Sequence, residues 1–257
     1  MSEISALWPV APASEARWLV ELNDDPYGTT GFQVPSGLYE DAAWVLNAMY
    51  EHVDGPGELS RDALVRSSRE AMGAPVPCGV YSGGLGRAEH PGGGYRRLRW
   101  AELARRTGDP VVAPGYLPSY RSAPDGRLPD GGWPAGLETP TEGALDRPTW
   151  DRLIEVLIAH SPEGAGTRCL AFYNPLLTEE QDFDDHRVLA GRLGDAFALY
   201  DHPGHRSSPS NLWPEDRSWV TYTDWDLWGT KVAGPAALIG ALLGDHFIEA
   251  VRLPWDS

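Results

Sequence analysis

Lysine is almost missing from this chain: Lys231 stands alone against twenty arginines in 257 residues. With the abundance of Ala, Gly and Pro, that skew reflects a GC-rich codon supply rather than a need for arginine chemistry. Cysteine is nearly as scarce. Cys78 and Cys169 lie far apart and form no CxxC pair, which argues against a zinc ribbon or a disulfide framework. No apolar run approaches the roughly 18 residues of a membrane span. The N-terminal MSEISALWPVAP has neither a basic n-region nor an apolar h-region, so a signal peptide is not expected and the cytoplasm is the expected location.

The usual catalytic signatures are missing too. There is no HExxH and no GxSxG. The glycine-rich SGGLG (82–86) and PGGGY (91–95) have no Walker lysine and open no strand–helix dinucleotide fingerprint. The acidic run holding Asp182, Asp184, Asp185 and His186 departs from the EF-hand order, lacking its glycine and closing glutamate. No cofactor is indicated, and no repeat or heptad is present.

What the chain does have is acid and indole. Its formal net charge is −16 and its pI about 4.7. The charge is distributed: residues 1–150 carry 13 basic and 20 acidic side chains, residues 151–257 carry 8 and 17. Such a field repels phosphate backbones and anionic membranes and draws in cations, so neither nucleic acid nor a membrane surface is an expected partner. Eleven Trp and ten Tyr supply large rings for packing or for anchoring a partner.

The patterning predicts an α+β protein: an antiparallel sheet covered by helices on one face, with long Gly/Pro-rich loops. Ala16–Leu22 reads as a strand, and 38–50 as either helix or strand, since its period decides neither. Ser60 caps a helix running to Met72, and a further helix is expected over Arg99–Thr107. Thr149 opens a helix through His160. Strands are expected over Cys169–Asn174 and Asp195–Asp201, followed by a hairpin of Ser218–Asp224 with Leu227–Gly234. Pro235 begins a helix, and Phe247–Leu253 forms a last strand. The loop-rich stretch between 73 and 146 suggests a division into 1–148 and 149–257, or one continuous domain.

The most distinctive segment is NLWPEDRSWVTYTDWDLWGTKVAG, Asn211 to Gly234. It resembles the C-terminal signature of an uncharacterised actinobacterial family that reads roughly N-L-W-W-P-x-D-R-x-W-x-V-x-T-x-x-D. Asn211, Leu212, Trp213, Pro214, Asp216, Arg217, Trp219, Thr223 and Asp226 match it, with one Trp before the proline where the family has two. RWAELA (99–104) adds a looser match. The resemblance implies a soluble cytoplasmic protein and carries no activity.

Chemically, Arg217 offers a planar fork to a carboxylate. Asp224 and Asp226, two apart at an expected turn, can hold a cation, share a proton, or simply bond turn amides. His202 and His205, beside Asp201, are the best metal candidates, though spacing supplies no third ligand. The expected function is a non-catalytic acidic binding protein, immunity-type or regulatory, that engages a basic protein partner. Asp216, Arg217, Asp224, Trp225, Asp226 and Trp228 would form its surface, with Trp133 and Tyr116 as further possible anchors. A metal-assisted hydrolase built on Asp224, Asp226, His202 and His205, and a small-molecule binding module, are the alternatives.

Overall fold

The computed structural model describes residues 6–23, 31–35, 37–72, 90–173, 188–201 and 207–252. Its main feature is an eight-stranded sheet in the order β1-β7-β6-β8-β9-β10-β2-β11, antiparallel throughout. The strands are β1 (Val10–Ala11), β2 (Asp41–Leu46), β6 (Arg168–Phe172), β7 (Val188–Arg192), β8 (Asn211–Pro214), β9 (Val220–Tyr222), β10 (Gly229–Gly234) and β11 (Ala250–Val251). A second antiparallel sheet, β4-β3-β5, joins β3 (Met49–His52), β4 (Tyr95–Leu98) and β5 (Leu137–Glu138). The expected α+β class and antiparallel sheet are therefore present. Strands from both sides of the 148/149 division share the main sheet.

Five helices are used below: α1 (Arg17–Glu21), α2 (Arg61–Ala71), α3 (Trp100–Thr107), α4 (Arg147–His160) and α5 (Ala236–Gly244). The longest, α4, packs with α5 on one face of the main sheet. There Trp150, Leu153, Ile154 and Leu157 meet Ala43, Val45, Ala171 and Val232. The opposite face is also covered. Ala16, Leu19, Phe32 and Val34 close one part over Leu170, Phe172 and Trp213. The second sheet and α3 close the rest over Trp44 and Tyr222.

Burial on both faces explains the ambiguity at 38–50. Ala42 to Leu46 are all buried, so no polar residue marks alternate positions and the period-2 signal of a half-exposed strand is lost. It also explains the position of Lys231, which is 5% exposed on a central strand with its Nζ donating to Val34 O at 3.2 Å.

Several elements follow from local chemistry. Ser60 Oγ accepts from Ala63 N at 3.1 Å and caps α2. Gly108, at φ 82°, ends α3 in the left-handed conformation that glycine adopts without penalty. Three expectations are corrected. Ala16–Leu22 is helical: its buried Ala16 and Leu19 sit three apart on one side of a helix. Asp195–Asp201 lies in a 3-10 helix, Leu193–Asp201, whose buried Leu193, Ala196 and Leu199 repeat every three residues. The cap of α4 is Asp146, which accepts from Thr149 N at 3.1 Å, so the helix starts before Thr149, with Pro148 in its first turn.

The second sheet is tied to α3 by charge. Glu51, with its side chain 4% exposed, accepts from Arg96 and Arg106, and both arginines also bind Glu102. The Arg106 hydrogen bond is the main force holding the Glu51 carboxyl below its ordinary range. Arg96 does most to hold that of Glu102 down to about 2. Without Glu51 the two arginines, 42% and 39% exposed, keep Glu102 and water as partners. Glu51→Ala is therefore predicted to cost only about 1 kcal/mol in urea unfolding at neutral pH. Groups with depressed values lend full stability above their unfolded value, 4.5, and lose it as the pH falls through the folded one. The gap between wild type and variant should accordingly narrow below about pH 4.5.

Candidate functional site

The six expected surface residues fall at two ends of β9. Asp216 and Arg217 lie in the turn that enters it; Asp224 to Trp228 form the turn that leaves it for β10.

At the entering turn, most of the signature is internal scaffolding. Asn211 is fully buried. Its amide accepts from Phe32 N at 2.9 Å and donates to Phe32 O at 2.8 Å and Thr221 O at 3.0 Å, clasping the 31–35 segment to the sheet. Trp213 meets Trp18 edge-on at 6.1 Å, and Trp219 Nε1 donates to Ser161 Oγ at 2.9 Å. Asp216 caps its own turn by accepting from Ser218 N at 2.9 Å. Arg217 takes φ 56°, held by its N–H to Pro214 O at 2.8 Å, and lays its guanidinium over Trp18 at 4.9 Å. It stacks on an indole where pairing with a carboxylate is expected.

The leaving turn gathers acid and aromatic groups. Asp224 Oδ1 accepts from Trp225 N at 2.6 Å, and Leu227 N donates to Asp224 O at 3.1 Å, so the first carboxylate does fix turn backbone. Thr223 Oγ1 closes the neck of the turn on Gly229 O at 3.0 Å. Trp225 projects outward, 47% exposed. Trp228 turns inward instead, 3% exposed and set against Trp100 and Trp133; it supports the corner from beneath.

Two further segments complete the corner. Glu142 Oε1 accepts from Trp228 Nε1 at 3.2 Å, with Gly143 N donating to Leu227 O at 3.0 Å. Pro118 O accepts from Trp228 N at 2.8 Å, which sets the 116–121 turn alongside. That turn carries the exposed Tyr116 and Tyr120, with Arg121 Nε donating to Tyr120 Oη at 2.7 Å. Glu142 and the 120–121 pair lie in loops read from sequence only as irregular; their part here depends on contacts about 80 to 110 residues away in the chain.

The charge of Asp226 bears on both Asp224 and Glu142. Burial pushes the Asp224 carboxyl up to about 6, the Trp225 amide opposes this, and the charge of Asp226 adds to it. Glu142 is raised chiefly by burial, with Asp226 contributing again. Arg121 brings a counter-charge to the corner, itself raised first by Tyr120 and also by Asp226.

His202, His205 and the acidic run 182–186 lie outside the described residues, as does Cys78. Among the described residues, no group of three or more His, Cys, Asp or Glu side chains is placed to hold a metal ion, and no helix is long and apolar enough to cross a membrane. Cys169 is buried, and burial pushes its thiol up to about 12, far from a reactive thiolate. No protein-family model, curated protein or solved structure matches the chain.

A raised carboxyl disfavours its own charged form in the fold. For Asp224 that cost is absent below its unfolded value of 3.8 and complete once the pH passes about 6. Asp224→Asn, which keeps an acceptor for Trp225 N, is predicted to raise the melting temperature at pH 7.5 and leave it unchanged near pH 3.5. Equal shifts at both values, measured by calorimetry, would contradict this assignment.

Proposed function

We propose that the chain is a non-catalytic binding protein, immunity-type or regulatory, whose β9–β10 corner engages a basic protein partner. The observation that carries this reading is Trp225, an exposed indole flanked in sequence by two carboxylates, of which Asp224 is already raised by burial and by its neighbour. An arginine side chain from a partner can stack on the Trp225 face while it pairs with Asp226. Among the described residues Asp226 has no hydrogen bond or ion pair of its own that it would have to give up.

The energetics favour a cation over other ligands. Asp226 repels both Asp224 and Glu142, and Arg121 opposes it locally. A positive group arriving among them relieves that repulsion, whereas an anion adds to it. Tyr116 and Tyr120, 55% and 42% exposed, extend the apolar footing, and rigid rings of this kind anchor interfaces at low entropic cost. The overall charge of −16 adds long-range steering.

The test is fluorescence anisotropy with a labelled oligoarginine peptide. Binding should weaken as salt is added. Trp225→Ala should lower affinity about tenfold, or ~1.4 kcal/mol, beyond anything a distant exposed aromatic such as Phe247 contributes. Affinity should also fall between about pH 7.5 and pH 5, because Asp224 takes up a proton in that interval. Failure of the peptide to bind, or equal affinity for Trp225→Ala and wild type, would overturn the proposal.

A further inference from the structure

At the other end of β9 lies a cleft of about 770 Å³, within the size range of small-molecule sites. One wall is residues 6–9, another the 162–168 segment leading into β6; the floor is the end of β7 with the following turn, and the 214–216 turn closes it. The first wall is firmly seated. A Cβ on Gly191 would come within 2.5 Å of the Trp8 ring, so glycine is what allows that indole to lie against the strand. Trp8 Nε1 then donates to Asp195 O at 3.0 Å. The cleft is thus part of the packed fold.

Its charges are arranged in an unusual way. Arg168 and Arg192 stand directly opposite each other in the β6–β7 register, a like-charge pairing that is unfavourable in a sheet. Arg168 is neutralised by Glu215. Among the described residues Arg192 has no ion pair and no hydrogen bond from its guanidinium, although Glu163 and Asp195 line the same cleft and have no ion pair either. Arg192 thus shares one cavity with Glu163 and Asp195 without pairing with either.

We propose that this cleft binds a small zwitterion of the free α-amino-acid type, its carboxylate on the Arg192 guanidinium and its ammonium group among the cleft carboxylates. Counting Asp216, the lining carries four carboxylates against two guanidinium groups, so a phosphate-rich ligand would be repelled. A simple cation would leave Arg192 unused. A molecule bearing one charge of each sign satisfies both, and the planar fork of Arg192 can hold a carboxylate through two parallel hydrogen bonds. This site is independent of the β9–β10 corner and stands or falls separately.

Isothermal titration of the whole chain with individual free L-amino acids tests it, with acetate, inorganic phosphate and ethylamine as single-charge controls. At least one amino acid should bind where all three controls fail. Arg192→Ala should weaken that binding at least about tenfold, Arg192→Lys should restore part of it, and Asp195→Asn should also weaken it. Arg192 is exposed, so its variants should fold, which an unchanged melting temperature verifies. Binding of acetate or phosphate as tightly as any amino acid, binding of ethylamine alone, binding unaffected by Arg192→Ala, or no binding by any amino acid would each overturn the proposal.

Discussion

The corner at Asn47 is the constraint on which the rest of the structure depends. There the chain leaves the main sheet at the end of β2 and enters the second sheet at β3 within two residues. The Asn47 amide donates to Thr141 O at 2.6 Å and Ala144 O at 2.8 Å; its backbone N–H donates to Trp228 O at 2.9 Å, and its carbonyl accepts from Trp100 Nε1 at 2.9 Å. Ala48 N adds a bond to Asp146 Oδ2 at 2.9 Å, the same carboxylate group that caps α4. The Asn47–Ala48 corner thereby ties together both sheets, α3, α4 and the loop that carries Glu142. Buried donors and acceptors are costly to leave unpaired, so these bonds fix the loop as well as hold it.

That fixation is what makes a surface out of separate segments. Glu142 meets the indole of Trp228 because Asn47 holds Thr141 and Ala144 on either side of it, and Trp228 in turn supports the 116–121 turn through Pro118. Trp225, Asp224 and Asp226 then lie in the short turn above a rigid base. The division of labour within the NLWPEDRSWVTYTD segment follows. Asn211, Trp213 and Trp219 serve the interior; the residues free to meet another molecule lie beyond them, one set at each end of β9.

How much of this was legible in the sequence depended on the range of the contacts. Helices α2, α3, α4 and α5 follow from caps and periodicity, which are local, and the β9–β10 hairpin lies within the expected Ser218–Asp224 and Leu227–Gly234, its strands two residues shorter at three of their four ends. Strand β2 was obscured because both of its faces are buried, and the 3-10 helix at Leu193–Asp201 was read as a strand because three-residue spacing imitates neither template. The same limit applies to the sites. Asp224, Trp225 and Asp226 are sequence neighbours and stood out. Glu142 and Arg121 joined them only through tertiary bonds, and the pairing of Arg168 with Arg192 depends on a register between strands some twenty residues apart, which no local pattern announces.

Amide hydrogen exchange at Gly143, compared between wild type and Asn47→Ala, tests the central role of the corner most directly. The Gly143 N–H reaches Leu227 O at 3.0 Å, in the link between the loop and the turn that bears Trp225. If Asn47 positions that loop, the variant should lose protection at Gly143 while the amides of α5 stay protected, since local opening spares elements packed elsewhere. Unchanged exchange at Gly143 in a folded Asn47→Ala chain would contradict the account, because the loop would then hold its place without the bonds proposed to fix it.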